Sequence, residues 1–324
     1  MRRILISGLT LVFLILVFLF SYSTAPAKDV KAPATEAKEA PEGYAGVETC
    51  EACHQMLKKG VFDRFPKTTM GILFLNHPRD AAEKLGCETC HGPAKEHAAS
   101  GGQTFAGMIR YTKGSQTPVP LRNDVCLKCH EKRERLFWPG SAHDVKDVGC
   151  TECHVVHTEP GIHARHQLKR VTVSDTCNVC HKKQVSEELR FSHHPLREGK
   201  MECTSCHNPH GTTSPKLVRG LSNKELCFTC HAQYRGPRIF QHPPVTEDCF
   251  NCHQPHGSAY PSLLKAPPIR LCRECHVTFH ELSLQPLVSG KRQAPRPNAA
   301  LSGCLNCHRQ IHGSNNINGN LFFH

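Results

Sequence analysis

Residues 177–211 read CNVCHKKQVSEELRFSHHPLREGKMECTSCHNPHG, and the architecture of the whole chain can be argued from them. They hold two Cys-x-x-Cys-His motifs, a His-Pro between them and one more histidine three residues after the second motif. Residues 230–257, CHAQYRGPRIFQHPPVTEDCFNCHQPHG, repeat the same order. Segment 126–157 does so too, with His143 in the middle and His157 at the end. Residues 50–97 follow through His77-Pro78 and His97, and residues 272–312 through His280 and His312. Five such units account for the chain, an internal repeat in which each unit carries two motifs.

All 20 cysteines fall in the motifs. They are Cys50 and Cys53, Cys87 and Cys90, Cys126 and Cys129, Cys150 and Cys153, Cys177 and Cys180, Cys203 and Cys206, Cys227 and Cys230, Cys249 and Cys252, Cys272 and Cys275, and Cys304 and Cys307. Cys-x-x-Cys-His is the attachment signature of c-type haem: each thiol forms a thioether with a vinyl group and the adjacent histidine takes the iron. Structural zinc would need two half-sites per metal and gives no reason for His directly after each second Cys. A dithiol redox motif would occur once, in a βαβ context. The composition therefore implies ten haems, with His54, His91, His130, His154, His181, His207, His231, His253, His276 and His308 as proximal ligands.

Fourteen of the 24 histidines remain. The repeat selects ten as distal ligands: His77, His97, His143, His157, His194, His210, His242, His256, His280 and His312. His157 cannot serve the haem of its own motif, because the three residues after His154 extend at most about 10 Å, too short to pass round a porphyrin edge. It is expected on a neighbouring iron, and so are His210, His256, His280 and His312. His163, His166, His193 and His324 fall outside the pattern, although His193 and His194 could exchange roles. With both axial positions filled, every iron can change oxidation state but has no open position for a substrate.

The N-terminus begins MRR, continues with the apolar run 4–20 and reaches Ala-Pro-Ala at 25–27. That is the pattern of an export signal, residues 1–27, with a retained anchor as the competing reading. Residues 28–45 have the Ala, Pro, Lys and Glu composition of a flexible tether, so the cytochrome domain is expected over 46–324. The formal charge of +12 does not point to nucleic acid. Without Arg2 and Arg3 it is +10; ten haems would add about twenty propionate charges and each ferric porphyrin would return about +1, so the oxidised protein would sit near neutrality and the reduced one at about −10. Basic stretches such as 130–135 and 291–297 read as partners for those propionates or as solvated faces.

With 46 Gly plus Pro and 6% aromatic residues, the chain cannot build a conventional core. The expected fold is a multihaem cytochrome c: mostly irregular, with short α-helices at 124–137 and 174–191, extended along a haem core of five dihaem repeats. Haem-free chain is expected to be largely unfolded.

CHGPAKEHAASGG (90–102), CTECHVVH (150–157), SHHPL with MECTSCHNPHG (192–211), YRGPRIFQHPPVTEDCFNCHQPHGS (234–258) and CLNCHRQIHGSN (304–315) closely resemble the MtrA/DmsE family of periplasmic decahaem cytochromes. The resemblance runs from Cys50 to Asn315. It implies a bis-histidine haem wire in the periplasm, seated in an outer-membrane β-barrel porin of the MtrB type. Such a wire takes electrons from periplasmic or inner-membrane cytochromes and passes them to an outer-surface multihaem cytochrome or terminal reductase; in iron-oxidising relatives the flow is inward. One departure stands out. Family members tend to carry His-Gly upstream of the second motif, where this chain has Met70-Gly71, so the ligand there is His77 or Met70. Two other functions are weighed against electron transfer. A multihaem reductase would need one open iron, and no CxxCK occurs here; a cytochrome filament would share ligands between subunits.

Overall fold

Each odd-numbered motif lies at or near the end of an α-helix, and each even-numbered motif forms a single turn. In the computed structural model the described residues are 40–57, 59–157, 165–276, 303–317, 319 and 322. Helix α1 (Val47–Leu57) carries the first motif, α2 (Val119–His130) the third, α3 (Val173–Cys177) the start of the fifth, α4 (Asn223–Phe228) that of the seventh and α5 (Pro268–Arg273) that of the ninth. The second and fourth motifs are four-residue helical turns, Glu88–His91 and Cys150–Cys153. The sixth, eighth and tenth are 3₁₀ turns, Cys203–Ser205, Cys249–Asn251 and Cys304–Asn306.

Four of the odd-motif helices have identifiable starts. The Thr172 hydroxyl accepts from Asp175 N, the Ser222 hydroxyl accepts from Glu225 N, and proline opens the first turn of α2 and α5. These side chains satisfy or dispense with N–H groups that an unfinished helix leaves bare. Helix boundaries differ from the sequence expectation. The helix placed over 124–137 instead begins at Val119 and stops at His130, and the one over 174–191 is broken into α3 and α6 (Lys182–Glu188). The break in the second falls at His181, whose φ of −85° and ψ of 54° are not helical.

Among the described residues the buried hydrophobic side chains are Ala94, Trp138, Leu168, Val173, Val218 and Ala266. No strand occurs among them, only isolated bridges such as His154 to Leu168, His207 to Val218 and His253 to Leu264. Six buried apolar side chains are too few to hold the described residues together, since each contributes only about 1.5–3 kcal/mol. Meanwhile Phe191, Ile239 and Leu221 stand 79%, 73% and 89% exposed. The protein's own side chains do not close the interior. Polar clasps supplement them locally: buried Glu88 accepts from the amides of Ala45, Gly46 and Ala94, and buried Asn123 donates to Val148 O and accepts from Cys150 N, joining α2 to the fourth motif.

Candidate functional site

The motif histidines meet the second set of histidines in pairs, and the spacing of the pairs is nearly constant. Ring centroids are 6.0 Å apart for His54 and His97 and for His91 and His157. They are 6.1 Å apart for His154 and His210, His207 and His256, His242 and His276, and His253 and His312. The values are 6.2 Å for His143 and His181 and 6.4 Å for His194 and His231. A metal–imidazole bond of about 2 Å on each side, added to about 1.1 Å from ring nitrogen to ring centre, predicts a centroid separation of about 6.2 Å. The gap between facing rings thus fits one six-coordinate iron.

Pairing follows a rule. The middle histidine of a unit reaches forward to the next unit: His143 to the fifth motif, His194 to the seventh, His242 to the ninth. The terminal histidine reaches back one unit: His157 to the second motif, His210 to the fourth, His256 to the sixth, His312 to the eighth. His97 faces His54 within the first unit, which has no predecessor. His77 is exposed and stands outside these eight pairs, as does His130; Arg79, two residues after His77, is close enough to Cys129 for the thiol to act on its charge. Met70 is half-buried in the one-turn helix Thr69–Gly71. His193 donates from Nδ1 to Arg190 O (2.8 Å), and from Nε2 when protonated there to Glu198 Oε1 (3.2 Å), both ring nitrogens being engaged, while its neighbour His194 faces His231. His280, His163 and His324 lie outside the described residues, with the export signal and most of the tether.

Ring orientation is set from the backbone. The Nδ1 of His154, His207 and His253 pairs with the carbonyl of His166 (2.8 Å), Lys216 (2.9 Å) and Ser262 (2.7 Å). Each of those acceptors has positive φ, as has the residue after it: 66° and 54° at His166 and Gln167, 56° and 58° at Lys216 and Leu217, 54° and 58° at Ser262 and Leu263. Such a conformation costs about 1–3 kcal/mol per non-glycine residue. It is held by paired main-chain bonds, such as Asn208 N to Leu217 O and Arg219 N to Cys206 O. Middle and first-unit distal histidines use other carbonyls: His97 uses Thr104 O, His143 Pro209 O and His194 Pro255 O. A carbonyl on Nδ1 fixes the tautomer that leaves Nε2 free for metal. Burial lowers His91, His154, His157, His256 and His312, favouring their neutral form, and takes His210 to about 4. These acceptor carbonyls escaped the sequence reading, although the repeated SPKLVR (214–219) and YPSLLK (260–265) after the motifs carried the signal.

The thiols form a second series. Within each unit the first cysteines of the two motifs face each other, and one of each pair is pushed up by its partner: Cys50 by Cys87, Cys150 by Cys126, Cys177 by Cys203, Cys227 by Cys249. Cys272 is raised to about 11 by burial and by Cys304. Between units the second cysteines are neighbours. Burial raises Cys90, Cys153, Cys206 and Cys252, and the charge of Cys129, Cys180, Cys230 and Cys275 respectively adds to it. As thioethers these sulfurs hold no proton, but the perturbations record which motifs are adjacent. They join each motif to the next, from the first to the tenth.

The protein residues fit a haem in a further respect. The Nε of Arg122 and Arg238, Nε1 of Trp138 and Nε2 of Gln167 are buried with no protein acceptor. Buried donors normally have partners, and propionates are acceptors of the required charge.

The doubled CXXCH motif family matches residues 193–236 and 242–281, and the NrfB-like c-type cytochrome family matches 87–173. The multihaem cytochrome MtrA of Shewanella baltica is 40% identical over 279 residues, 85% of this chain and 80% of that protein. This chain belongs to the MtrA family of multihaem cytochromes. A more distant relative, the high-molecular-weight cytochrome c of Nitratidesulfovibrio vulgaris, is 21% identical over 183 residues, 55% of this chain and 30% of its own. The cytochrome accordingly binds c-type haem through its CXXCH motifs and serves electron transfer. No helix among its described residues is long and apolar enough to cross a membrane.

Proposed function

We propose that this cytochrome carries ten haems, each between two histidines, and conducts electrons through the periplasm and across the outer membrane inside an MtrB-like β-barrel. When bound, haem supplies an iron that exchanges one electron between ferric and ferrous states. The residues do the rest. Each pair of facing imidazoles would occupy both axial positions, excluding substrate and keeping the coordination unchanged between oxidation states. By the pairing rule His77 serves the third motif, with Met70 as the competing ligand; His280, in a last unit with none ahead of it, is left the tenth by elimination.

The observation that supports conduction is the unbroken series of sulfur neighbours, because spatial order along the protein then follows motif order along the chain. Consecutive motifs alternate between contact through first cysteines and contact through second cysteines, so no cofactor is left off the path. The family membership and the 40% identity to MtrA support the porin partner, with periplasmic or inner-membrane cytochromes as donors and an outer-surface cytochrome or terminal reductase as acceptor. The alternatives of a reductase and of a filament require an open or shared axial position.

Purification of the haem-loaded chain from detergent-solubilised outer membrane tests the proposal. A β-barrel protein should co-elute in stoichiometric amount, and liposomes holding both proteins should reduce an external acceptor from an enclosed reductant. Electron transfer by liposomes carrying the cytochrome alone, or a chain recovered only from the soluble fraction without a barrel, would overturn the membrane assignment.

A further inference from the structure

The segment between the odd motif and the middle histidine of one unit supplies the group that packs on the terminal histidine of the next. Phe65 meets His157 with centroids 5.7 Å apart, Trp138 meets His210 at 6.4 Å and Tyr234 meets His312 at 4.4 Å. The third unit departs from this series. There α6 brings a carboxylate, and Glu187 Oε2 lies 3.7 Å from Nδ1 of His256.

We propose that Glu187 sets the potential of the haem held by Cys203, Cys206 and His207, drawing it below its counterparts at the second, fourth and eighth motifs. Glu187 is buried, its side chain 7% exposed. The approach is built in: a Cβ at Gly257 would stand 1.9 Å from the Glu187 carbonyl oxygen, so the end of α6 and the His256-Gly257 turn are in direct contact. Lys183, 79% exposed, reaches the other carboxylate oxygen at 4.0 Å, leaving Oε2 on the imidazole side.

A negative charge beside the Nδ1–H of an axial histidine increases electron donation from the ring and stabilises the ferric over the ferrous state. Low polarizability around a buried group preserves that effect, whereas water would screen it. Aromatic neighbours carry no net charge, and Glu134, whose charge reaches His210, is 54% exposed and ion-paired with Arg219 at 2.9 Å, so water and the guanidinium offset its bias. The sixth position lies in the middle of the motif series, so a low-potential centre there would act as a step in the path rather than at a terminus. This inference rests on the proposed His207–His256 ligation.

The test uses the full haem-loaded chain with Glu187→Gln, read by potentiometric titration and low-spin EPR. One of ten centres should move to higher potential by about tenfold in its one-electron equilibrium constant, or about 59 mV, with the low-spin count unchanged. Glu187→Gln in a chain that also lacks Cys203 and Cys206 should move nothing. Lys183→Gln removes the opposing cation and should shift the same centre downward, which answers the question if the Glu187 variant loads haem poorly. A titration unchanged in both single variants, with all centres low-spin, overturns the role of Glu187. Loss of the low-spin signature at that centre in the parent chain would instead overturn the ligation.

Discussion

Replacing His210 with alanine should open the haem at the fourth motif, whose histidine is 56 residues upstream in sequence, and spare the sixth, which ends only three residues before it. The ring of His210 faces His154 at 6.1 Å, and His207 faces His256 instead. One centre in ten becomes five-coordinate and high-spin, so about a tenth of the iron should bind carbon monoxide promptly after reduction. The axial bond also closes a loop from His154 to His210. Treated as a cross-link of roughly 57 residues, it restricts the unfolded chain by about 4 kcal/mol, an upper bound on the stability lost. Optical titration with carbon monoxide reads the first effect and guanidinium unfolding the second. The decisive comparison is epistatic. In a chain lacking Cys150 and Cys153, His210→Ala should create no further high-spin iron, and in a chain lacking Cys203 and Cys206 it should still create one. The opposite pattern would refute the backward reach of the terminal histidines.

Gly211 has φ +115°, and a Cβ there would stand 1.9 Å from Phe137 O, so Gly211→Ala should destabilise the loaded protein by about 3 kcal/mol in denaturant unfolding. Asn123→Ala leaves Val148 O and Cys150 N unpaired and should cost about 2 kcal/mol, seen as a lower unfolding midpoint with haem content preserved. His77→Ala should produce one high-spin centre while Met70→Ala produces none; the reverse in magnetic circular dichroism would assign the ligand to Met70. Haem-free chain should show a coil-like far-ultraviolet spectrum, because the six apolar side chains buried among the described residues cannot replace the missing porphyrin faces.

The fold class was legible because its cause is local. A motif of five residues specifies a covalent cofactor wherever it sits, and ten copies leave too little chain for any other core. Which histidines face the motif histidines was largely legible for a related reason: a repeat shows membership in a pattern, and chain reach alone separates His157 from His154. Pairing was not legible. Whether His143 serves the motif before it or the one after depends on how consecutive units interlock, and sequence spacing permits both. The structure decides it by placing the His143 ring opposite His181 and its Nδ1 on Pro209 O, one residue before the histidine that returns to the fourth motif. His193 and His194 were equivalent as letters, and only tertiary contact with Glu198 on one side and His231 on the other separates them. Glu187 was invisible in the same way, since a charged residue near the end of a short helix reads as solvated until packing against Gly257 shows it buried. The motifs that attach haem and the histidines that recur with them are readable from the letters alone, because covalent chemistry and counting are local; which ring faces which is settled only by the fold, because that depends on contacts between units distant along the chain.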